Sequence, residues 1–162
     1  KQYPRALQVL MSMSLERIEV DVISYNLAIK AGKAGQRWLE PLHFLEIMRK
    51  TAVAPDVFTY NEVMSACSDG GEWARALCLL DEMWPRRLVP SVTTYGLAAR
   101  ACGQSGPWPW ALQMLEEMQR RGLRPEEHTY EVVITACQRS GQWQLASQLA
   151  QELRKRSSPG RK

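Results

Sequence analysis

PDVFTYNEVMSAC, residues 55–67, reads first as the opening of an amphipathic helix, but its tyrosine belongs to a longer pattern. Tyr60 has counterparts at Tyr25, Tyr95 and Tyr130, a constant interval of 35 residues. Trp38, Trp73, Trp108 and Trp143 keep the same interval, as do Ala31, Ala66, Ala101 and Ala136, and Pro55, Pro90 and Pro125. Met13, Met48, Met83 and Met118 form a column that Leu153 closes, and Cys67, Cys102 and Cys137 form another. No insertion or deletion interrupts any of them. A fixed period of this length is the signature of a repeat array. The units are 22–56, 57–91, 92–126 and 127–161, preceded by a partial unit over 1–21 that supplies a second helix only.

Each unit reads as two helices. Val57, Tyr60, Val63, Met64 and Cys67 recur at spacings of three and four, which is one helical face. Gly70 and Gly71 then break the pattern, as Gly35, Gly106 and Gly141 do elsewhere. A second helix buries Trp73, Ala76, Leu77, Leu80 and Met83, and stops before Val89-Pro90, because proline pushes the preceding residue out of the helical region. Pro41, Pro107 and Pro109 fall at or near the first turn of second helices, where the missing N–H costs little. One such helix pair cannot bury its own apolar face, whereas stacked pairs can. The pattern therefore predicts an all-α, right-handed solenoid of nine helices whose concave surface is lined by the first helices.

Hydrophobic residues make up 45% of the 162, too many for disorder. No apolar run approaches the ~20 residues of a membrane helix, so a soluble chain without a membrane partner is expected. No charged-then-apolar leader follows Lys1, which puts any targeting segment outside these residues. The net charge of +4 is uneven: Arg154, Lys155, Arg156, Arg161 and Lys162 form a basic C-terminal tail free of acids, and the rest is nearly neutral. A general basic field is thus no argument for nucleic acid, which must rest on particular positions.

The conspicuous side chains have structural explanations first. The tryptophan column, next to alanine and glycine, reads as packing between helices, and the methionine column as core. Cys67, Cys102 and Cys137 sit at equivalent places on stacked helices ~8–10 Å apart, beyond the ~7 Å that a disulfide tolerates. Cys78 has no partner by spacing, no CxxC occurs, and His43 and His128 are isolated from any cysteine pair. Buried, reduced thiols are expected, with no metal, cofactor or small-molecule substrate. The Asp81-Glu82 and Glu116-Glu117 pairs read as solvated charge on the outer helices. No catalytic constellation stands out, so the chain is not expected to be an enzyme.

The unit VFTYNEVMSACSDGGEWARALCLLDEMWPRRLVPS resembles a pentatricopeptide repeat in its 35-residue length, T-Y-N start, A-L within the second helix, E-M near its end and terminal P-x. VISYNLAIKAGKAGQ, VTTYGLAARACGQSG and EHTYEVVITACQRSG are further copies, and the recurrent SAC and G-x-W elements resemble the algal style of that family. Tetratricopeptide repeats differ: they run ~34 residues, with tryptophan in the first helix.

The resemblance implies modular recognition of single-stranded RNA, one base per unit, by two or three side chains. The readers implied are the residue after the tyrosine and the residue after the terminal proline, with the second residue of each unit helping to sandwich the base. These are Asn26 and Asp56 with Ile23, then Asn61 and Ser91 with Phe58, then Gly96 and Glu126 with Thr93. The last unit offers Glu131 with His128, and Arg161 as second reader. An asparagine amide both donates and accepts, whereas an ionised aspartate only accepts and so favours uracil, with its N3 hydrogen, over cytosine. Serine lacks that bias. Ile23 and Phe58 offer apolar surface to base faces. The plainer alternative for Asn26 and Asn61 is that they satisfy backbone groups at a helix start.

The chain also departs from the family pattern. Gly96 has no side chain to read with, Glu126 puts a carboxylate where phosphate must pass, Thr93 and His128 are poor sandwich residues, and Glu131 is atypical. A basic residue near the end of each first helix is implied to face phosphate; Arg139 fits, Lys33 nearly does, Gln104 is neutral and Asp69 opposes. The first two units are the expected readers. The functional expectation is RNA binding in organellar RNA processing, stability or translation, in a plastid or mitochondrion. Its rivals are a protein-interaction scaffold that has lost RNA readout, and the array of a larger protein whose catalytic domain lies elsewhere.

Overall fold

A computed structural model describes residues 21–33, 38–51 and 53–157. The helices are α1 (Val22–Lys33), α2 (Leu39–Lys50), α3 (Val57–Asp69), α4 (Trp73–Met83), α5 (Val92–Ser105), α6 (Trp108–Arg120), α7 (Glu127–Arg139) and α8 (Trp143–Ser157). Among the described residues there is no strand. The expected ninth helix in 1–21, the Met13 position, Gly35 and Arg161 lie outside the described residues.

The first helices α1, α3, α5 and α7 stack on one another, and each second helix packs against its own first helix and the next one. The result is an all-α helical-repeat solenoid. Its core is built from the recurring columns. Tyr25, Tyr60, Tyr95 and Tyr130 are all buried, as are Met48, Met83 and Met118 and the three alanines Ala66, Ala101 and Ala136. The tyrosine hydroxyls explain why phenylalanine would not serve: Tyr60 donates to Glu82 Oε2 (3.4 Å) and Tyr130 to Glu152 Oε1 (2.6 Å) on the second helix of the same unit. A buried ring thereby keeps its polar end satisfied.

The tryptophans act as spacers between units. A Cβ at Gly70 would stand 2.4 Å from Cδ1 of Trp38, and one at Gly106 would stand 2.9 Å from Cγ of Trp73. Gly70 and Gly106, at the ends of α3 and α5, therefore make room for the indole of the preceding unit, whereas Gly141 has open space around it. Trp143 is 64% exposed.

Cys67, Cys102 and Cys137 are buried as expected, and burial pushes the Cys67 and Cys102 thiols up to about 12. Cys78 is exposed instead, because it shares the outward register of its helix with His43, Gln113 and Gln148 in theirs. The outer acids also divide. Asp81 and Glu116 are exposed, whereas Glu82 pairs with Arg49 of the preceding unit and Glu117 with Arg120 and Arg121. The basic residues Arg154, Lys155 and Arg156 fall in the last turn of α8, so they are helical rather than part of a tail.

Second helices end in a sharp reversal. In α6 the Leu123 N–H donates to the Met118 carbonyl (2.9 Å), with Gly122 left-handed at φ 71. In α4 the same bond runs from Leu88 to Met83 (2.9 Å), but the left-handed residue is Arg87, at φ 59. A side chain there costs about 1 kcal/mol more than glycine.

Candidate nucleic-acid interface

The implied readers sit at the N-terminal turns of α1, α3, α5 and α7, the helices that stack on one another. Asp56 and Ser91 are N-caps. Asp56 Oδ1 accepts from the Thr59 N–H (2.7 Å), and Ser91 Oγ from the Thr94 N–H (3.3 Å), each closing a capping box with the threonine hydroxyl. The same hydroxyl reaches back across the unit boundary. Thr59 Oγ1 donates to Asn26 Oδ1 (2.7 Å), and Thr94 Oγ1 donates to Asn61 Oδ1 (2.8 Å).

Each asparagine is thus joined to its partner through a threonine of the following unit. Asn26 and Asp56 meet at Thr59, and Asn61 and Ser91 meet at Thr94. Occupation of Oδ1 by the threonine leaves the amide nitrogen as the free donor of each asparagine. It also bears on the plainer alternative: the first turns of α1 and α3 are met by Asp21 and Asp56, and each asparagine bonds a side chain.

The third and fourth units differ. Gly96 presents only the Thr129 hydroxyl, 3.5 Å from where a Cβ would stand, and Glu126 forms no side-chain cap. Glu131 is exposed and faces His128 Nδ1 at 3.6 Å. Beside the readers, Ile23 is 67% and Phe58 is 49% exposed, with Thr93 and His128 also open to solvent. Leu27, exposed on the turn after Asn26, adds apolar surface that sequence reasoning missed.

Two further groups escaped the sequence. Asp21 stands one period before Asp56 and accepts from both the N–H (2.8 Å) and the hydroxyl (2.7 Å) of Ser24. The Ser24, Thr59, Thr94, Thr129 column was visible as part of T-Y-N, but nothing local tells that it ties two units together. Arg100 was missed as well. Its guanidinium donates to the Ser68 (3.1 Å) and Ser65 (3.1 Å) hydroxyls and pairs with Asp69 (3.1 Å). Asp69 is therefore neutralised rather than a bare charge in the groove. Arg139 is turned to the protein too, donating to the Gln104 (3.1 Å) and Gly103 carbonyls at the end of α5. Lys33 faces Glu62 at 3.5 Å.

Among the described residues, no group of three His, Cys, Asp or Glu side chains could hold a metal ion, and no helix is long and apolar enough to cross a membrane. The arrangement can bind flat, unpaired bases by stacking and edge contact.

Three family models match: the PPR repeat family over residues 55–104, the PPR repeat over 93–123 and the pentatricopeptide repeat domain over 113–158. No curated protein sequence matches the chain. Among solved structures, PPR10 in complex with an 18-nt psaJ RNA element aligns at 24% identity and TM-score 0.75, over 93% of this chain and 22% of that one. PPR10 from maize aligns at 26% identity and TM-score 0.68, over 97% of this chain and 27% of that one. The PPR domain of Arabidopsis thaliana protein-only RNase P 1, in complex with tRNA, aligns at 15% identity and TM-score 0.82, over 99% of this chain and 85% of that domain. This chain thus spans less than a third of the PPR10 chains it resembles. Matches that run on from residue 55 to residue 158, over a fold superposable along nearly the whole chain, have one reading: the chain belongs to the pentatricopeptide repeat family.

Proposed function

We propose that the chain binds single-stranded RNA in its concave groove, one base per unit, through Asn26/Asp56 and Asn61/Ser91, and is not itself catalytic. One observation carries this: the same asparagine–threonine–cap bridge recurs in successive units beside exposed apolar side chains at Ile23 and Phe58. The RNA-bound family members support the same partner. The process is organellar RNA processing, stability or translation, in a plastid or mitochondrion.

Base stacking supplies ~1–3 kcal/mol per base, and association costs ~4–15 kcal/mol. Two reading units alone therefore bind weakly, and tight binding needs further units. The Asp56 carboxylate favours uracil because it can only accept; the Ser91 hydroxyl admits cytosine.

Asp56→Ser tests the reading cleanly, since Ser91 shows that serine caps the equivalent helix. Placed in a longer array, the variant is expected to relax uracil preference towards cytosine at one nucleotide. Equal changes for both bases would show that the pair does not read sequence. They would favour the second reading, a protein-binding scaffold, which the carboxylates of Glu126 and Glu131 in the later units also suit.

A further inference from the structure

On the first helices Lys33, Arg100 and Arg139 are turned to protein acceptors and Lys30 is exposed. At the ends of the second helices Arg49, Arg120, Arg121 and Arg156 pair with carboxylates, whereas Lys50, Arg86, Arg87, Arg124, Arg154 and Lys155 are exposed and form no ion pair among the described residues. The chain's arginines and lysines are concentrated at these helix ends. RKTAVA (49–54), WPRRLV (84–89), QRRGLR (119–124) and RKRSSP (154–159) occupy one register of the 35-residue period and hold ten of the 21 basic residues with no acid. All ten except Arg49 are exposed. Successive windows adjoin: the Arg121 guanidinium lies 4.2 Å over the ring of Trp84, and Gln119 bonds Glu152 (3.0 Å) just before the last window. The described basic residues of these windows therefore form one rim along the solenoid, just before the caps Asp56, Ser91 and Glu126.

Arg87 marks this rim as more than a solvated face. It holds the left-handed backbone position that Gly122 fills one unit later, so a charge is kept where glycine would be more stable. A charge retained at a strained backbone position motivates a functional reading of the rim. Arg121 is likewise positioned, held by the Trp84 ring and by Glu117 at 2.6 Å.

We propose that this rim is a second RNA-binding surface, tracking the phosphates of single-stranded RNA that flanks the bases read in the groove. A base entering from the groove points its pairing edge at the readers and its own phosphate away from them. The windows end two residues before the caps Asp56, Ser91 and Glu126, and in this proposal they neutralise backbone beyond the bases being read. The inference rests on the RNA-binding reading above for the nature of its polyanion.

The experiment exchanges the two left-handed residues. Affinity of the protein for fluorescein-labelled single-stranded RNA is measured between about 50 and about 200 mM salt, with one RNA limited to the groove and one extended on both sides. With the extended RNA, Arg87→Gly is expected to reduce the slope of log affinity against log salt by about 0.7, and Gly122→Arg to raise it by about as much. Melting temperatures should move oppositely, up by about 2–4 °C for Arg87→Gly and down by as much for Gly122→Arg. A Cβ at Gly122 meets nothing within 4 Å, so the added side chain has room. The double exchange should restore the wild-type slope.

Unchanged slopes on the extended RNA, with wild-type binding intact, would overturn the rim and leave the groove reading standing. Absence of any RNA binding by the wild type would overturn both. An equal change with the groove-limited RNA would overturn the flank assignment. Loss of binding to phosphatidylserine vesicles in Arg87→Gly, with RNA slopes unchanged, would assign the rim to a membrane surface instead.

Discussion

Thr59 carries one hydroxyl hydrogen, and two acceptors, Asn26 Oδ1 and Asp56 Oδ1, lie within 2.8 Å of its oxygen. The residue is fully buried, so neither acceptor is easily replaced by water on that side. Thr59→Val keeps the shape and removes the hydroxyl. It is expected to cost about 1–2 kcal/mol in urea denaturation and to loosen base discrimination at the nucleotide facing Asn26. A valine variant as stable as the parent would show that the bridge holds nothing. Gly96 gives the converse case. The Thr129 hydroxyl is already in place beside it and the space is open, so Gly96→Asn should install the missing amide without loss of stability. Binding to oligonucleotides that differ only at the third nucleotide should then become base-dependent, whereas the parent is indifferent there.

Helices pack in this array by letting a large ring of one unit enter the space left by a glycine of the next. Gly70 is the tightest example, with Trp38 Cδ1 at 2.4 Å from a hypothetical Cβ. Its φ of −86 is open to any residue, so the constraint is the indole rather than the backbone. Gly70→Ala should therefore destabilise by about 1–3 kcal/mol as the indole is displaced. Gly96→Ala should instead be neutral or gain up to about 1 kcal/mol, since it removes a helix-interior glycine and meets only an ordinary contact. Thermal unfolding of the two variants should move in opposite directions; a similar loss in both would mean that helix propensity, not the tryptophan, sets the effect.

Across the whole molecule the buried thiols act together. Folding raises the Cys67 and Cys102 thiols from 9.0 to about 12 by burial, and Cys137 in the same direction. The unfolded chain therefore loses these protons first as pH rises. The contribution is complete below about 9 and disappears as pH climbs towards about 12, so urea midpoints should fall across that window. A midpoint that stays flat there would contradict the burial of these thiols. Maleimide should label exposed Cys78 rapidly and the other three only on unfolding. The fold was legible in the sequence because the columns of Tyr25, Trp38 and Met48 recur without a slip, and a period needs no knowledge of contacts. The site was legible only in part. Its residues follow from the resemblance, but the bond from Thr59 to Asn26 joins positions 33 apart, as that from Arg100 to Asp69 joins positions 31 apart. No local pattern expresses such pairs. The rim was hidden for another reason: it is assembled from four windows 35 residues apart, and the end of α8 passes for a tail until its helical register is known.

The threonine bridge has a consequence for how such a molecule can change over generations. Each asparagine is supported by a residue of the following unit, yet that residue is the same threonine at positions 59, 94 and 129. A duplicated or transplanted unit therefore arrives beside a neighbour that already supplies what its asparagine requires. Unequal recombination in steps of 35 residues would lengthen or reorder the array without breaking any joint. Drift at positions such as Gly96 and Glu126 would then leave silent letters that one substitution at each reader can revive.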